Sequence, residues 1–399
     1  MSFAAHCLLP RPRAPGHRML NVSVVNSLIE LDSLRLDWDR LAAGHWMRSW
    51  DWQSQWIETY QGKGKLRVLV AEEGSQIVGI FPLFERYRSW TGRTLEMVGS
   101  DKICSDDLGI LCHERDGVRV AEAFANFMLG SHGLRWDYMD LDGIRVDNGT
   151  MSAFAEALQS LQPVEIDRRT ESSCWLLKLQ PGPDGNHIWS ARLRKTIKLA
   201  EQEREAGILG FRTASTPEQA TDDLEIIEEL HQARWKSVGV SGCFANDQFT
   251  RFVSAYVSKR WSAEHEIPTT VPSVMVSTLT WEGNAAAGAL SFVNGNTLSI
   301  YLTAMNPKHA EIKPGWKLQG FLINQAARNG LKYVDYMRGD EEYKQRLRCE
   351  PTQQQRWLIP SPRILGRVRK AVYETAKHLR NRLRAQSAPM ESEAPTQAD

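Results

Sequence analysis

Gly133-Leu134-Arg135-Trp136-Asp137-Tyr138-Met139 and Gly330-Leu331-Lys332-Tyr333-Val334-Asp335-Tyr336-Met337 are two versions of one phrase. Each runs glycine, leucine, a base and an aromatic, then Asp-Tyr-Met, with one residue inserted in the second. In both, a helical stretch comes before, Gly117–Gly130 and Gly315–Asn329, and a strand follows, Trp136–Leu141 and Tyr333–Met337. Further back, each version has its own hairpin. In the first, Leu66–Ala71, a turn at Glu72–Ser75 and Ile77–Phe84 alternate apolar runs with turn residues, and Pro82 marks the end of regular pairing, an edge or a bulge. In the second, Ser273–Trp281, Glu282–Asn284, Ala286–Val293, Gly295-Asn296 and Thr297–Thr303 give strand, turn, strand, turn, strand. The repeated order predicts two related α/β (α+β) halves, 20–180 and 185–360. The boundary falls near Leu179–Gly185, where Pro181-Gly182-Pro183 breaks regular structure.

Outside the repeat the reading is coarser. Residues 1–19 are expected to be a disordered segment; Pro10, Arg11 and Arg13 interrupt any secretory apolar region. Val22–Val25 reads as a strand and Leu28–Leu41 as a helix. Trp46, Trp50, Trp52 and Trp56 crowd one segment near helical spacing and are assigned to core rather than to sugar stacking. Between the halves lie a basic helix, Ile188–Glu205, and a helix at Pro217–Trp235, with Thr216 as cap and Pro217 in the first turn. Residues 361–385 form a basic amphipathic helix with Leu365, Val368, Val372, Ala376, Leu379 and Leu383 on one face, and 386–399 a disordered tail. That helix fits either docking on the protein or peripheral contact with an anionic inner membrane.

Composition narrows the class. The chain has 399 residues, room for two domains at roughly 150 each. Its 49 Lys and Arg balance 48 Asp and Glu, which argues against a DNA-binding protein. No apolar run reaches the ~18 residues of a membrane span. The six cysteines are scattered, with neither zinc-ligand spacing nor the density of a disulfide framework, so a cytoplasmic setting without a metal is expected.

Two stretches could carry chemistry. The first is the strand-to-helix joint, where Leu302 and Thr303 lead through Lys313, Pro314, Gly315, Trp316, Lys317 and Leu318 into a helix. A helix start exposes free N–H groups and partial positive charge suited to a pyrophosphate. A punctuated turn accounts for the same residues. The second is the strand end carrying Asp335, Arg338, Asp340, Tyr343 and Lys344, where a carboxylate could accept a proton and a phenol donate one; a solvated turn is the alternative. His231, Arg234, Trp235 and Phe244 could form an acceptor wall, or cap and pack a helix. Asp101, Asp106 and Asp107 read as a solvated loop.

Together these residues resemble the CelD-type acyltransferases of the GNAT superfamily, linked to cellulose and exopolysaccharide biosynthesis. The likeness rests on the Gly315 joint, Asp335…Arg338-Gly339-Asp340-Glu341…Tyr343-Lys344, Trp50…Trp56, Leu69-Val70-Ala71-Glu72, Val78-Gly79-Ile80-Phe81-Pro82-Leu83 and Arg192-Leu193-Arg194-Lys195. It spans about Leu34–Leu358, and it extends to the two-halved Fem-type peptidyltransferases. The resemblance implies two tandem GNAT-like domains, each a mostly antiparallel sheet flanked by helices. It also implies acetyl-CoA or another acyl-CoA as co-substrate, its pyrophosphate on Pro314–Leu318 and an oxyanion-binding N–H near Leu302 or Thr303. The joint departs from the usual Gln/Arg-x-x-Gly-x-Gly/Ala pattern in having Gly315 alone. The first half's counterpart, Val98-Gly99-Ser100-Asp101-Lys102, has no Pro-Gly helix start, so the donor site is expected in the second half. The expected acceptor is an amine or hydroxyl of a saccharide or cell-envelope precursor, with the polysaccharide-synthesis machinery as partner. An aminoacyl-tRNA-dependent Fem-like transferase and a non-catalytic scaffold are the alternatives.

Overall fold

In the computed structural model, residues 19–100, 103–131, 133–180, 190–264 and 273–363 are described. The expected terminal segments, the Pro181-Gly182-Pro183 break, Asp101 and nearly all of the 361–385 helix lie outside them. The first half of the chain runs β1 (Asn21–Val25), α1 (Leu28–Asp32), α2 (Arg35–Ala42), α3 (Trp50–Tyr60), β2 (Lys65–Leu66), β3 (Val68–Glu73), β4 (Gln76–Phe81), β5 (Leu83–Arg88), β6 (Gly92–Met97), β7 (Leu111–Cys112), α4 (Gly117–Leu129), β8 (Tyr138–Arg145), α5 (Gly149–Leu161) and β9 (Asp167–Lys178). The second runs α6 (Ala191–Glu205), β10 (Leu209–Thr213), α7 (Pro217–Ser237), α8 (Asp247–Glu264), β11 (Val274–Trp281), β12 (Asn284–Asn294), β13 (Thr297–Met305), α9 (Pro314–Arg328), β14 (Tyr333–Arg338), α10 (Glu342–Arg346) and β15 (Glu350–Pro360).

Local chemistry explains most of these bounds. The Thr216 hydroxyl accepts the Gln219 N–H at 3.2 Å and starts α7, with Pro217 in the first turn. The single helix expected over Leu28–Leu41 is instead two. The Ser33 hydroxyl bonds back to the Glu30 carbonyl at 2.7 Å and ends α1 before α2 begins. Pro82, which cannot donate to a ladder, separates β4 from β5, and there the chain passes from one sheet to another.

The small sheet has the order β1-β3-β4-β7, and the large one β10-β11-β12-β13-β14-β9-β15-β8-β6-β5-β2. In the large sheet the parallel pairs are β6 with β8 and β13 with β14, and the others are antiparallel. Each parallel pair is a strand–helix–strand crossover, β6-α4-β8 and β13-α9-β14, and the returning strand of each carries one copy of the repeated phrase. The fold is therefore mixed α/β, with one such crossover in each half of the chain.

The centre of the large sheet joins those halves by exchange. β9, from the first half, pairs with β14 of the second, and β15, from the second, pairs with β8 of the first; β9 and β15 then pair with each other. The core crosses the same junction. Trp46 stacks on Phe292 at 4.1 Å, and Trp52 meets Phe252 and Tyr256 edge-on at 4.7 and 4.8 Å. All four tryptophans of the 46–56 segment are buried in one apolar cluster shared by both halves. No helix among the described residues is long and apolar enough to cross a membrane.

Candidate active site

A cleft opens where β13 and β14 part. Their parallel pairing covers only Thr297–Ser299 against Tyr333–Asp335. Beyond it, the register of β13 on β12 shifts and leaves Tyr301 unpaired, a bulge that re-aims the strand. β14 also leaves its register with β9 after Asp335, and Met337 adopts a left-handed φ of 54°. The resulting space, about 430 Å³, lies between Thr303–Met305, the start of α9, the end of α7 and the loop after β14.

The floor is suited to an anion. α9 is 15 residues long, and its N-terminus has no side-chain cap; the N-cap, Lys313, sits in the left-handed region at φ 52°. A Cβ built on Gly315 would meet only the Met305 sulfur, at 3.6 Å, so the backbone here is open to the cleft. Lys313 and Arg234 both line the space. The Arg192 guanidinium, which does not line the space, lies 5.1 Å from the ring centroid of Trp316, which does. Gln319 also lines it, buried, with an Oε1 that has no hydrogen-bond partner. Such an acceptor calls for a donor from a ligand or water. Gln319 went unnoticed in the sequence because a glutamine inside a helix carries no spacing signal.

Pro314 is buried in the first turn of α9, and Leu318 lines the cleft, whereas Lys317 does not serve as a phosphate ligand. Its Nζ lies 2.6 Å from the Glu203 carboxylate and 4.5 Å from the Trp281 ring centroid, buried against α6 and β11. Gly315, Trp316, Leu318 and Gln319 line the cleft, and Lys317, two positions on from Gly315 and so about 200° round the helix, points away from it. Leu302 is not among the residues that line the cleft, whereas Thr303 is.

His231, Arg234 and Trp235 of α7 form one wall. The His231 Nε2 accepts the Trp235 indole N–H at 2.8 Å, so its proton belongs on Nδ1, which has no partner. Burial lowers its pKa to about 4, and the imidazole is neutral at physiological pH. Phe244 packs edge-on against it at 5.3 Å, in the core behind the wall and not on its surface. The ring is also tight on Gly242, where a Cβ would lie 2.6 Å from His231 Cε1.

The charged run after β14 divides in two. Glu341 and Tyr343 face the cleft. Burial, then the Glu341 charge, raises the Tyr343 pKa and keeps its hydroxyl protonated. Asp335, Arg338, Asp340 and Lys344 are placed elsewhere. The Asp335 carboxylate accepts the Met337 N–H at 2.8 Å, and burial, then neighbouring charges including Asp106, raises its pKa to about 6. Asp340 is exposed and accepts the Trp175 indole N–H at 3.3 Å. Lys344 is buried: its Nζ donates to the carbonyls of Met337, Arg338 and Gly339 at 3.4, 3.2 and 3.0 Å and pairs with Glu341 at 2.8 Å. It staples the loop rather than reacting.

Arg338 reaches across to the first half. Its Nε donates to Asp106 at 2.8 Å, its backbone N–H to the other oxygen at 3.1 Å, and it lies 3.4 Å from Asp142. Asp106, expected in a solvated loop, is buried, and also accepts the Cys174 thiol at 3.1 Å. Its partner lies far along the chain, so local sequence gives no sign of the pair. Past Glu96, where β6 and β8 of the first half stop pairing, Met97, Val98 and Leu108 line a void of only about 10 Å³. Among the described residues no group of three or more His, Cys, Asp or Glu is placed to hold a metal ion.

With this geometry the comparisons agree. Residues 190–345, which contain the whole cleft, match the acetyltransferase (GNAT) domain family. FemX is similar in structure, with 10% identity over 81% of this chain and 95% of its own and a TM-score of 0.51. A conserved protein of unknown function from Bacteroides thetaiotaomicron gives 11% over 86% and 100%, with a TM-score of 0.47. A tandem GNAT protein of the clavulanic acid pathway gives 13% over 86% and 99%, with a TM-score of 0.44. Identities this low speak to fold alone. No curated protein matches the chain.

Proposed function

We propose that the cleft transfers an acyl group from an acyl-CoA to an amine or hydroxyl of a saccharide or cell-envelope precursor, as the CelD-type resemblance implies. One observation carries this reading: an uncapped helix start opens, beside the unpartnered Gln319 Oε1, into a cleft made by two parting strands inside the matched domain. The donor pyrophosphate rests on the Gly315 N–H, with Lys313 and Arg234 near; the Trp316 N–H is already given to the Lys313 carbonyl at 3.0 Å. The acyl arm lies between β13 and β14, within reach of the Gln319 amide. A backbone N–H of Tyr301–Thr303 polarises the thioester carbonyl.

The acceptor enters past His231 and Trp235. Its nitrogen or oxygen bonds to the acyl carbon, its proton passes to the Glu341 carboxylate, and the C–S bond breaks. The thiolate leaves with the Tyr343 proton. In this reading Glu341 takes the role first assigned to Asp335 or Asp340, and the neutral His231 orients the acceptor.

Calorimetric titration with acetyl-CoA tests the donor. Gly315→Glu places a carboxylate where the phosphates would lie, next to no atom nearer than Met305, so the variant folds and loses binding. Equal affinity in the folded variant would remove the site. A wild type that ignores acetyl-CoA would refute the acyl-CoA reading, leaving the Fem-like or scaffold alternative.

A further inference from the structure

A second concave site lies at the opposite edge of the large sheet, separated from the cleft by β9, β15 and β8. It is a groove of about 420 Å³ built on β2, β5, the start of β6 and the loop before β8. Four cations line it, Lys65, Arg67, Arg93 and Arg135, against one carboxylate, Glu85.

The pairing inside the groove is unequal. Arg67 is engaged, 3.3 Å from Glu85 and donating to the Asn26 side-chain oxygen at 2.7 Å. Arg93 approaches Asp137 only at 3.8 Å, and that carboxylate already accepts the Arg93 backbone N–H at 2.9 Å. Lys65 and Arg135 form no ion pair among the described residues, although Lys65 stands directly opposite Glu85 in the β2–β5 register. Unpaired cations are ordinary on a convex surface. Here they converge from different elements on one hollow, and low-dielectric walls such as Phe127 and Leu134 strengthen the field within it.

We propose that this groove binds a phosphate-bearing small molecule. Two guanidinium forks, Arg93 and Arg135, suit bidentate recognition of phosphate oxygens, and Lys65 supplies a point charge. The volume is within the range of small-ligand sites and accommodates a pyrophosphate or a sugar phosphate. The acyl-transfer cleft does not use these residues, so the site stands or falls independently of the reaction proposed above.

The test is calorimetric titration of the full chain with pyrophosphate at low ionic strength. Its comparison is the Lys65→Gln, Arg135→Gln double variant, whose changes lie on exposed side chains and leave the core untouched. The expected result is loss of one binding event, or a Kd at least tenfold weaker, with affinity for acetyl-CoA the same in both chains. Binding that is unchanged in the variant overturns the proposal, as does a wild type that ignores pyrophosphate. A wild type that ignores pyrophosphate but sediments with phosphatidylglycerol vesicles also overturns it, because the cations would then read a lipid surface.

Discussion

Glu341 and Tyr343 reach the cleft while Asp335, Asp340 and Lys344 of the same run do not, and the difference can be measured one residue at a time. Tyr343→Phe removes the proton for the departing thiolate and little else. Turnover should fall by about 10²-fold with the acetyl-CoA Kd unchanged, as single-turnover kinetics and calorimetry would show. Asp335 predicts an opposite kind of effect, on stability. Its folded pKa of about 6 lies above the ordinary 3.8, so between those values the native state holds the extra proton. Stability from this group is therefore present below about pH 4, falls as pH rises through that window and stays lost above it. Asp335→Asn keeps the acceptor for the Met337 N–H and removes the charge. It should stabilise the chain by on the order of 1–3 kcal/mol at about pH 7.5, with the gain vanishing near pH 4 in urea melts.

Among the elements, the link from β14 to α10 matters most for the site. Met337 in the left-handed region and Gly339 at φ 126° turn the chain out of the sheet, and Lys344 gathers three carbonyls of that turn. Lys344→Met keeps the length of the side chain and leaves those carbonyls buried without their donor. The expected cost is about 2–3 kcal/mol in equilibrium unfolding, together with weaker activity from a misplaced Glu341 and Tyr343. The repeated phrase made the crossover strands readable from sequence, since helix punctuation and alternating apolar residues are local signals. β9 and β15 carried such signals only at their ends, Cys174–Leu177 and Trp357–Ile359. Asp167-Arg168-Arg169-Thr170-Glu171-Ser172-Ser173 and Pro351-Thr352-Gln353-Gln354-Gln355 are polar runs, and they become strands because a neighbour from the other half supplies their ladder.

At the scale of the molecule, the exchange of β9 and β15 makes each half depend on the other. A chain of residues 190–363 alone would lack the strand that pairs with β14 and the tryptophans that cover Phe292 and Phe252. Expressed by itself it should show no cooperative unfolding transition, and co-expression with residues 19–180 should restore one, measured by circular dichroism on the purified complex. A folded, cooperative fragment would show that the exchanged strand is dispensable. The same junction lets the first half hold the loop of the second through Asp106 and Arg338.

The two related α/β halves, the strand-to-helix joint at Gly315 and the buried tryptophans followed from the sequence, because apolar periodicity, glycine and proline act within a few residues of where they stand. What lines the cleft was decided by tertiary structure. Helical rotation sent Lys317 to Glu203, the loop that leaves the sheet at the left-handed Met337 brought Glu341 to the cleft, and a carboxylate from the other half captured Arg338. Each of these depends on which distant surface a side chain meets, and no local pattern encodes that meeting.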